Sequence, residues 1–536
     1  MSRAAEYTER SGVISLYAHN DWRVRGNLTV NLGLRYEYEQ PLTEAEDRMI
    51  SGFDAAASLP ISAAAQAAYA ANPIAEVPAQ AFRVQGGVLY PDTGGPRAAW
   101  QANRSNFMPR AGFSWQPGER TAVRGGYGLY YDVLGPNRIS VDQTGYSRVT
   151  AVVPSLDNGQ TFIATLANPF PNGLLDPVGS GLGPMTNAGL GVGFPYAGDV
   201  RTPRTHRWSL GVQHELPGEF LTEVTWVQGY SENLTVIRDL NAVPGQYFST
   251  SPTRDNTTNN YLTQQVGNPL AGLLPGTGLN AATVSRSQLL RPFPHFSGVS
   301  AAETNGSSDY RSLQTRVERR MANGVTVQLG YTWSKTMTET EYLNGFDSAL
   351  HRVIGAFDRT HMFVSSGIVE LPFGRDRHWG TSWGTLADTL LGGWQVSYLV
   401  KQQSGAPLSF GNYLLKPGMT EADIALPAGD RSIDRWFNVD AFERAPAAQL
   451  VSNVRTTPAR LEDVRGPGYV VLDLGIMKNL NLGPRMRLQL RLEAYNALNE
   501  TNLNNPNTAP TNSAFGTITS QNPFPRQFQL AARLSF

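Results

Sequence analysis

The sequence contains no cysteine, and this absence removes several classes of chemistry at once. Without a thiol among the 536 residues, disulfides and thiolate-bound metals are excluded. Charge is also scarce, because charged residues make up only 16% of the chain, below the usual quarter. The 44 basic residues balance the 44 acidic ones, so the net charge gives no reason to expect a nucleic acid or a strongly acidic partner.

Long hydrophobic runs are missing as well. No stretch of about 18 apolar residues occurs, so a membrane-spanning helix is not expected. Residues 1–12, MSRAAEYTERSG, have no apolar core and therefore no signal peptide. If the protein is exported, its targeting signal is expected to lie outside this sequence, and Met1 would be an internal residue or an artificial start.

Alternation with a period of two is what the sequence has instead. The last eleven residues, RQFQLAARLSF, place Phe528, Leu530, Leu534 and Phe536 on one face of a strand and mainly polar residues on the other. Such a strand has one apolar and one polar side. Taken alone it fits either the edge strand of a soluble sandwich or a strand of a membrane β-barrel.

The same alternation recurs along the whole chain. Roughly thirteen segments show it, each about ten residues long, which is the length that a tilted strand needs to cross a bilayer. The predicted strands are 13–23, 28–38, 107–116, 122–132, 205–216, 220–230, 310–319, 325–334, 361–371, 394–402, 469–478, 486–494 and 526–536.

The gaps between these strands alternate between short and long. The short links are 23–27, 117–120, 217–219, 321–324 and 479–484, with one enlarged turn at 372–393, and the long ones are 40–105, 133–204, 231–309, 336–360, 403–468 and 499–525. Outer-membrane barrels have short periplasmic turns and long extracellular loops, whereas a sandwich or a propeller would be spaced evenly. The sequence therefore predicts an all-β, antiparallel, up-and-down transmembrane barrel with a periplasmic C-terminus.

Aromatic residues on the apolar faces collect near the strand ends. Three are expected near the short turns (Trp22, Trp115 and Trp394) and seven near the long loops (Tyr36, Tyr38, Tyr131, Trp208, Trp226, Tyr230 and Trp333). We interpret them as two girdles at the membrane boundaries, with ordinary core aromatics as the alternative. Arginines at 35, 124, 487 and 491 fall on the opposite face, where a wet lumen would solvate them.

Side chains that could carry catalysis or bind metal are dispersed. His206 and His214 are eight positions apart on one strand and His361 begins another, a spacing that matches no common zinc motif. The glycine-rich segment 189–198 has no strand–helix context for a nucleotide. We predict no catalytic residue, no metal site and no cofactor. The alanine-rich run 61–71 favours a short helix within the first long loop.

Several segments, taken in order, resemble one family. They include SLYAHNDWRVRGNLTVNLGLRYEY (15–38), NFMPRAGFSWQPGERTAVRGGYGLYYD (106–132), FDRTHMFVSSGIVELPFG (357–374), RLEAYNALNETNLNNPNT (491–508) and the terminal RQFQLAARLSF. Together they are similar to the barrel of Oar-like TonB-dependent outer-membrane receptors of Gram-negative bacteria, and the resemblance covers nearly the whole chain.

The resemblance implies a larger protein than this chain. Such receptors have a signal peptide, often a carboxypeptidase-regulatory-like domain, a plug domain that contacts TonB, and a barrel of about 22 strands. We therefore expect residues 1–536 to be the C-terminal part of the barrel, without the other three parts. Because roughly nine strands would then be missing, an open or imperfectly closed sheet is expected, with no pairing between 13–22 and 527–536.

Function and partners follow as expectations from the pattern and the resemblance. The first hypothesis is TonB-dependent uptake of a large ligand (a metal chelate, an oligosaccharide or a peptide), captured by loops 40–105, 133–204, 231–309 and 403–468. The second is an adhesin-like or passive surface-binding barrel, and the third is a soluble all-β hydrolase. The expected partners are the outer-membrane bilayer, TonB through a plug domain, and the barrel-assembly machinery, for which the resemblance makes Phe528, Leu530, Leu534 and Phe536 the signal.

Overall fold

The computed structural model describes residues 1–135, 139–150, 152, 160–171, 173–322, 324–375, 377–483 and 485–536. Predictions for the remaining positions, which belong to the long loop 133–204 and to the links 321–324, 372–393 and 479–484, lie outside the described residues.

The described residues form 23 strands, most of them antiparallel. Those of the first half are β1 (Ser2–Ala4), β2 (Glu9–Arg25), β3 (Leu28–Glu44), β4 (Gly52–Ser58), β5 (Gln85–Leu89), β6 (Asn106–Gly118), β7 (Thr121–Tyr131), β8 (Ser147–Val149), β9 (Gly191–Tyr196), β10 (Arg204–Leu216), β11 (Phe220–Asp239), β12 (Gln265–Gly267) and β13 (Thr283–Ser285). Those of the second half are β14 (Gly298–Ala322), β15 (Val325–Glu339), β16 (Val353–Ile354), β17 (His361–Glu370), β18 (Trp394–Gln403), β19 (Pro407–Leu408), β20 (Leu461–Arg465), β21 (Tyr469–Asn481), β22 (Arg487–Tyr495) and β23 (Gln527–Ser535).

Helices are short and lie in the connections. They are α1 (Ser62–Ala71), α2 (Asn256–Thr263), α3 (Arg286–Leu289) and α4 (Thr385–Leu391). The alanine-rich run was predicted to be helical, and α1 confirms this prediction. No helix in the described part of the chain is long and apolar enough to cross a membrane.

One large sheet runs through the described residues in chain order, β2-β3-β6-β7-β10-β11-β14-β15-β17-β18-β21-β22-β23, with every neighbouring pair antiparallel. Each predicted strand coincides with a member of this path. The sheet nevertheless has fifteen strands, so the prediction of about thirteen was too low. The two additional strands, β9 and β16, come from the long loops and have only six and two residues.

Several strands are also longer than predicted, β11 and β14 by the largest margin. β11 has 20 residues and β14 has 25, and their upper parts pair with each other through a bulge near Leu234. The segment 300–309 of β14, SAAETNGSSD, has no apolar alternation. In membrane barrels, the part of a strand that rises beyond the lipid needs no apolar face, and the sequence signal is lost there.

The sheet is open, as expected from the sequence, and so a closed barrel is not formed by these strands. Among the described residues, β2 pairs only with β3 and β23 only with β22. Along an alternating path of thirteen strands the first and the last run in the same direction, so direct pairing of β2 with β23 would be parallel. Closure of an all-antiparallel sheet therefore requires strands beyond this path.

One face of the sheet is apolar and exposed across its width. Cross-strand partners lie on the same side of a sheet, and one row of partners joins Trp22, Val30, Phe113, Gly125, Leu210, Trp226, Leu313 and Trp333. A second row joins Val396, Ile476, Leu492 and Leu530. Leu210 is 51% exposed and Leu530 is 80% exposed. A continuous apolar surface of this extent far exceeds the few hundred Å² that soluble monomers expose.

Most of the buried hydrophobic residues lie in the long loops rather than in the sheet. The loops between β3 and β6, β7 and β10, and β11 and β14 contribute Tyr69, Phe82, Tyr90, Phe296 and many smaller side chains to shared clusters. We call these three folded loops the loop cap. The sequence predicted irregular loops, but apolar residues from distant segments bury one another there and give the cap a core of its own.

Candidate functional site

The loop cap surrounds an open cavity of about 1060 Å³. Its first loop contributes Phe53 and Trp100, its second loop contributes Phe194 and Tyr196, and its third loop contributes Phe293. Three segments that are far apart in the chain therefore meet around one space. This cavity is the strongest candidate for a functional site in the described residues.

Short strands position the aromatic walls. β9 pairs in parallel with the upper part of β14, and this pairing places Phe194 beside Ala301. The register then shifts by one residue at a bulge, so that Tyr196 pairs with Ala302. In the first loop, β4 pairs with β5 and fixes Phe53 opposite Val88.

The aromatic side chains contact one another in ordered geometries. The ring of Phe53 stacks on that of Phe194 at 5.5 Å between centroids, and Phe293 meets Phe53 edge-on at 4.9 Å. Trp100 and Tyr196 form a second edge-on pair at 5.8 Å. Such pairs contribute about 0.5–1.5 kcal/mol each beyond the burial of their area, so the walls are held in place before any ligand arrives.

Charged groups lie at the rim of the cavity and not in its walls. The Arg97 guanidinium donates to Asp47 at 2.8 Å, and Asp199 accepts from Arg201 at 3.3 Å. Their side chains are largely exposed, at 64% for Arg97 and 82% for Asp199. Burial raises the pKa of Tyr196 to about 12, so this wall residue stays neutral at physiological pH.

The arrangement suits binding of a large ligand with apolar and polar parts. Ligand sites usually enclose about 300–1,000 Å³, have mainly apolar and aromatic walls, and contain a few polar groups that orient the ligand. This cavity has the size and the walls of such a site, and its rim offers one charge of each sign. It has no nucleophile–base pair of the kind that covalent catalysis requires.

Three of the four loops predicted to bind ligand contribute to this cavity. Loops 40–105, 133–204 and 231–309 all line it, although part of 133–204 lies outside the described residues. Loop 403–468 does not line it with any of its described residues. It folds instead around Phe410, Phe437 and Phe442, together with Phe515 from the loop before β23.

The histidines considered for metal binding are separate in the structure. Nδ1 of His206 is 2.9 Å from the Tyr127 hydroxyl, and Nδ1 of His214 is 2.9 Å from the Thr121 hydroxyl. His361 lies 2.8 Å from the Tyr331 hydroxyl. Within the described ranges, no three His, Asp or Glu side chains come together as metal ligands.

The ten aromatic residues predicted to form girdles all lie on the apolar face. Their cross-strand partners place Trp22, Tyr36, Tyr38, Trp115, Tyr131, Trp208, Trp226, Tyr230, Trp333 and Trp394 on that one side. Trp226 lies in mid-sheet, between Leu210 and Leu313. The row through Trp226 begins near a short turn at Trp22 and ends near a long loop at Trp333, because the strand ends are staggered across the sheet. The assignment to two membrane levels stays a prediction.

The predicted assembly signal lies at the open edge of the sheet. Phe528, Leu530 and Leu534 share the apolar face with Leu488 and Leu492 of β22. Phe536 follows the end of β23 and is 96% exposed. These side chains are exposed and therefore accessible to a partner. Their recognition by the barrel-assembly machinery stays a prediction.

One protein family matches nearly the whole sequence. A family model described as an outer membrane beta barrel domain matches residues 1–529. No curated protein matches the sequence.

Several solved structures are similar to this chain at low sequence identity. The ferric-catecholate import receptor Fiu from Escherichia coli K12 is 10% identical, with a TM-score of 0.43, and the match covers 99% of this chain and 45% of that one. The ferripyoverdine receptor of Pseudomonas aeruginosa is 11% identical, with a TM-score of 0.40 and coverage of 98% and 39%. The FrpB iron transporter from Neisseria meningitidis is 10% identical, with a TM-score of 0.40 and coverage of 100% and 45%. The chain spans less than half of the length of each of these structures.

Proposed function

We propose that this chain, which belongs to the outer membrane β-barrel domain family, forms the barrel part of a receptor that captures a large ligand and admits it to the cell. The family places the sheet in the outer membrane, and the exposed apolar face is the surface that lipid would cover. The protein is a receptor rather than an enzyme. The observation that carries the proposal is the aromatic cavity of about 1060 Å³ in the loop cap.

The polar face of the sheet is suited to line the ligand's route from the cavity into the barrel. Arg35 donates to Glu37 at 2.6 Å, and Arg491 donates to Gln489 at 2.6 Å, so charged side chains on this face have partners. Such residues are stable where water reaches them and costly in lipid. We assign the long loops and the cavity to the cell exterior, and the short turns and Phe536 to the periplasm.

The ligand class is a metal chelate, an oligosaccharide or a peptide of a size that fits the cavity. Uptake is driven through TonB in a receptor where a plug domain accompanies these barrel strands. In that receptor, residues 1–536 are the C-terminal part of an Oar-like barrel, which a reading of the genomic sequence upstream of Met1 would test directly. Assembly uses the C-terminal strand as its signal.

Ligand capture is tested by binding to cells that display the whole receptor. The probes are a ferric tris-catecholate, a linear glucose oligosaccharide and an unstructured peptide. We expect at least one probe to bind. Phe293→Ala should weaken the binding of that probe by roughly 10-fold or more, because an edge-on aromatic pair and an apolar wall are lost together.

A matched control is Phe357→Ala, which removes a 92% exposed ring that does not line the cavity. Equal loss in both variants, or no effect of Phe293→Ala on a probe that binds, would contradict the assignment of the site. Binding that depends on Phe293, with uptake unchanged in cells lacking TonB, would favour the adhesin-like or passive barrel instead.

A further inference from the structure

The enlarged turn between β17 and β18 carries an amphipathic helix whose apolar side is uncovered. At about 100° per residue, Leu386, Leu390 and Leu391 lie on one arc of α4, and Thr385, Asp388 and Thr389 lie on the other. The three leucines are 75%, 60% and 54% exposed. The helix therefore presents its hydrophobic side away from the protein.

Hydrogen bonds fix the polar side of α4 to the rest of the turn. The backbone N–H of Arg375 donates to the Asp388 carboxylate at 2.8 Å. The Arg375 guanidinium donates to the Thr385 hydroxyl and to the carbonyl of Trp383, both at 2.8 Å. These bonds determine the rotation of the helix about its axis, so the leucines cannot turn inward without breaking them.

The helix is seated on the apolar face of the sheet. Trp394 and Lys478 are cross-strand partners on that face, and both reach the C-terminal end of α4. The Trp394 indole N–H donates to the carbonyl of Leu390 at 3.0 Å. The Lys478 ammonium donates to the carbonyls of Leu390, at 3.2 Å, and of Gly392.

Lys478 would be costly on a lipid-facing surface if it were uncovered. It is only 7% exposed, because α4 covers it, and its ammonium lies 5.1 Å from the centre of the Trp394 ring. The C-terminal carbonyls of a helix carry a partial negative charge that favours a cation there. Lys478 therefore holds the C-terminal end of α4 against the apolar face.

We propose that α4 is a membrane-interface anchor that inserts Leu386, Leu390 and Leu391 into the phospholipid leaflet beside the short turns. The exposed leucines lie on a helix that contacts Trp394 on the apolar face of the sheet, the face that lipid covers in a membrane barrel. Helices with one apolar and one polar side lie in this way at the boundary of headgroups and acyl chains. Trp379, 54% exposed in the same turn, adds an indole of the kind that collects at membrane interfaces.

The proposal depends on the position of the sheet in the membrane and not on the capture of a ligand. A helix of a periplasmic protein is the other occupant that could cover the leucines. Lipid is favoured because the seat of α4 on Trp394 and Lys478 is itself on the lipid-covered face.

Residues 1–536 contain no cysteine, so a cysteine introduced there is unique within this part of the receptor. Single variants Leu386→Cys, Leu390→Cys and Thr389→Cys carry a small environment-sensitive fluorophore in the whole receptor, reconstituted in phosphatidylethanolamine–phosphatidylglycerol vesicles. The third variant is the matched control, because Thr389 is exposed on the polar arc of the same helix. Leu492→Cys on the apolar face of β22 reports whether the sheet itself is inserted.

We expect the labels at 386 and 390 to emit at shorter wavelength than the label at 389. Lipids spin-labelled near the headgroup should quench them efficiently, and iodide in the water should quench them several-fold less than it quenches the label at 389. Equal iodide quenching at 386, 390 and 389, with the label at 492 in lipid, would overturn the anchor and point to a protein partner. A label at 492 that is open to iodide would overturn both the anchor and the membrane position of the sheet. None of these outcomes depends on ligand binding.

Discussion

An arginine on the apolar face should destabilise the receptor far more than an arginine one residue away. Leu210 is 51% exposed on the apolar face, between Gly125 and Trp226. Ser209 precedes it and faces the polar side, where an open space of about 410 Å³ is lined by glycines and by Arg207. The two positions therefore share a strand and a depth but differ in their surroundings.

The expected difference follows from the cost of an arginine in lipid. On the lipid face near the midplane of the bilayer this cost is about 2–4 kcal/mol. At 1.36 kcal/mol for each factor of ten, Leu210→Arg should reduce the folding equilibrium constant by roughly 30- to 900-fold. Ser209→Arg should change it by less than about 10-fold, because water and the space beside Gly126 accommodate the side chain.

The assay is equilibrium unfolding of the whole receptor in phospholipid vesicles over a denaturant series, followed by tryptophan fluorescence. Parallel gels that separate folded from unfolded protein provide a second measure. Equal shifts for the two variants would refute the assignment of one face to lipid. A larger shift for Ser209→Arg would mean that the faces are exchanged, as a slip of one residue in register produces.

Three further predictions concern single buried groups. Burial lowers the pKa of His295 to about 4 from about 6.5 in an unfolded chain, so the fold favours the neutral form. The loop cap should therefore be fully stable above about pH 6.5 and lose about 3 kcal/mol of stability as the pH falls to about 4. Amide exchange in the cap should become faster over this range, and His295→Phe should make it independent of pH. Asp358 is 2% exposed, accepts from the Thr336 amide at 2.7 Å and pairs with Arg465 at 2.8 Å. Asp358→Asn should therefore lower the free energy of unfolding by about 3 kcal/mol and speed hydrogen exchange at the Thr336 amide. Unchanged exchange at that amide would contradict this prediction. Lys478→Met should leave the sheet intact but speed amide exchange in α4, because the helix loses the hydrogen bonds from the Lys478 ammonium to its C-terminal carbonyls. Equal exchange in both proteins would show that these bonds do not hold the helix in place.

The strands could be predicted from the sequence because lipid imposes a strict rule on each of them. Every second side chain must be apolar, and this pattern runs from Leu28 to Tyr38 in β3 and along β23. The rule does not extend to segments that leave the lipid. For this reason the upper parts of β11 and β14 were missed, as were the short strands β9 and β16, which come from the loops and pair with β14 and β15.

The cavity could be predicted only as a region, not as a set of residues. Phe53 and Phe293 are in contact but belong to different loops, and no local pattern connects them. The helix α4 was missed for a related reason. Its leucines lie in a turn of mixed composition, and their role depends on Trp394 and Lys478, which come from two strands that become neighbours only in the folded sheet.

The open edges of the sheet restrict how a complete barrel can close. β2 and β23 each leave one row of backbone N–H and C=O groups without a strand partner, and each such group costs several kcal/mol in lipid. Because β2 and β23 run in the same direction, a barrel closed only by antiparallel pairs needs an odd number of further strands between them. A barrel of about 22 strands, the size that the resemblance implies, has an even total and meets this condition. Closure by β2 and β23 alone would instead require a parallel pair at the only seam of an otherwise antiparallel sheet.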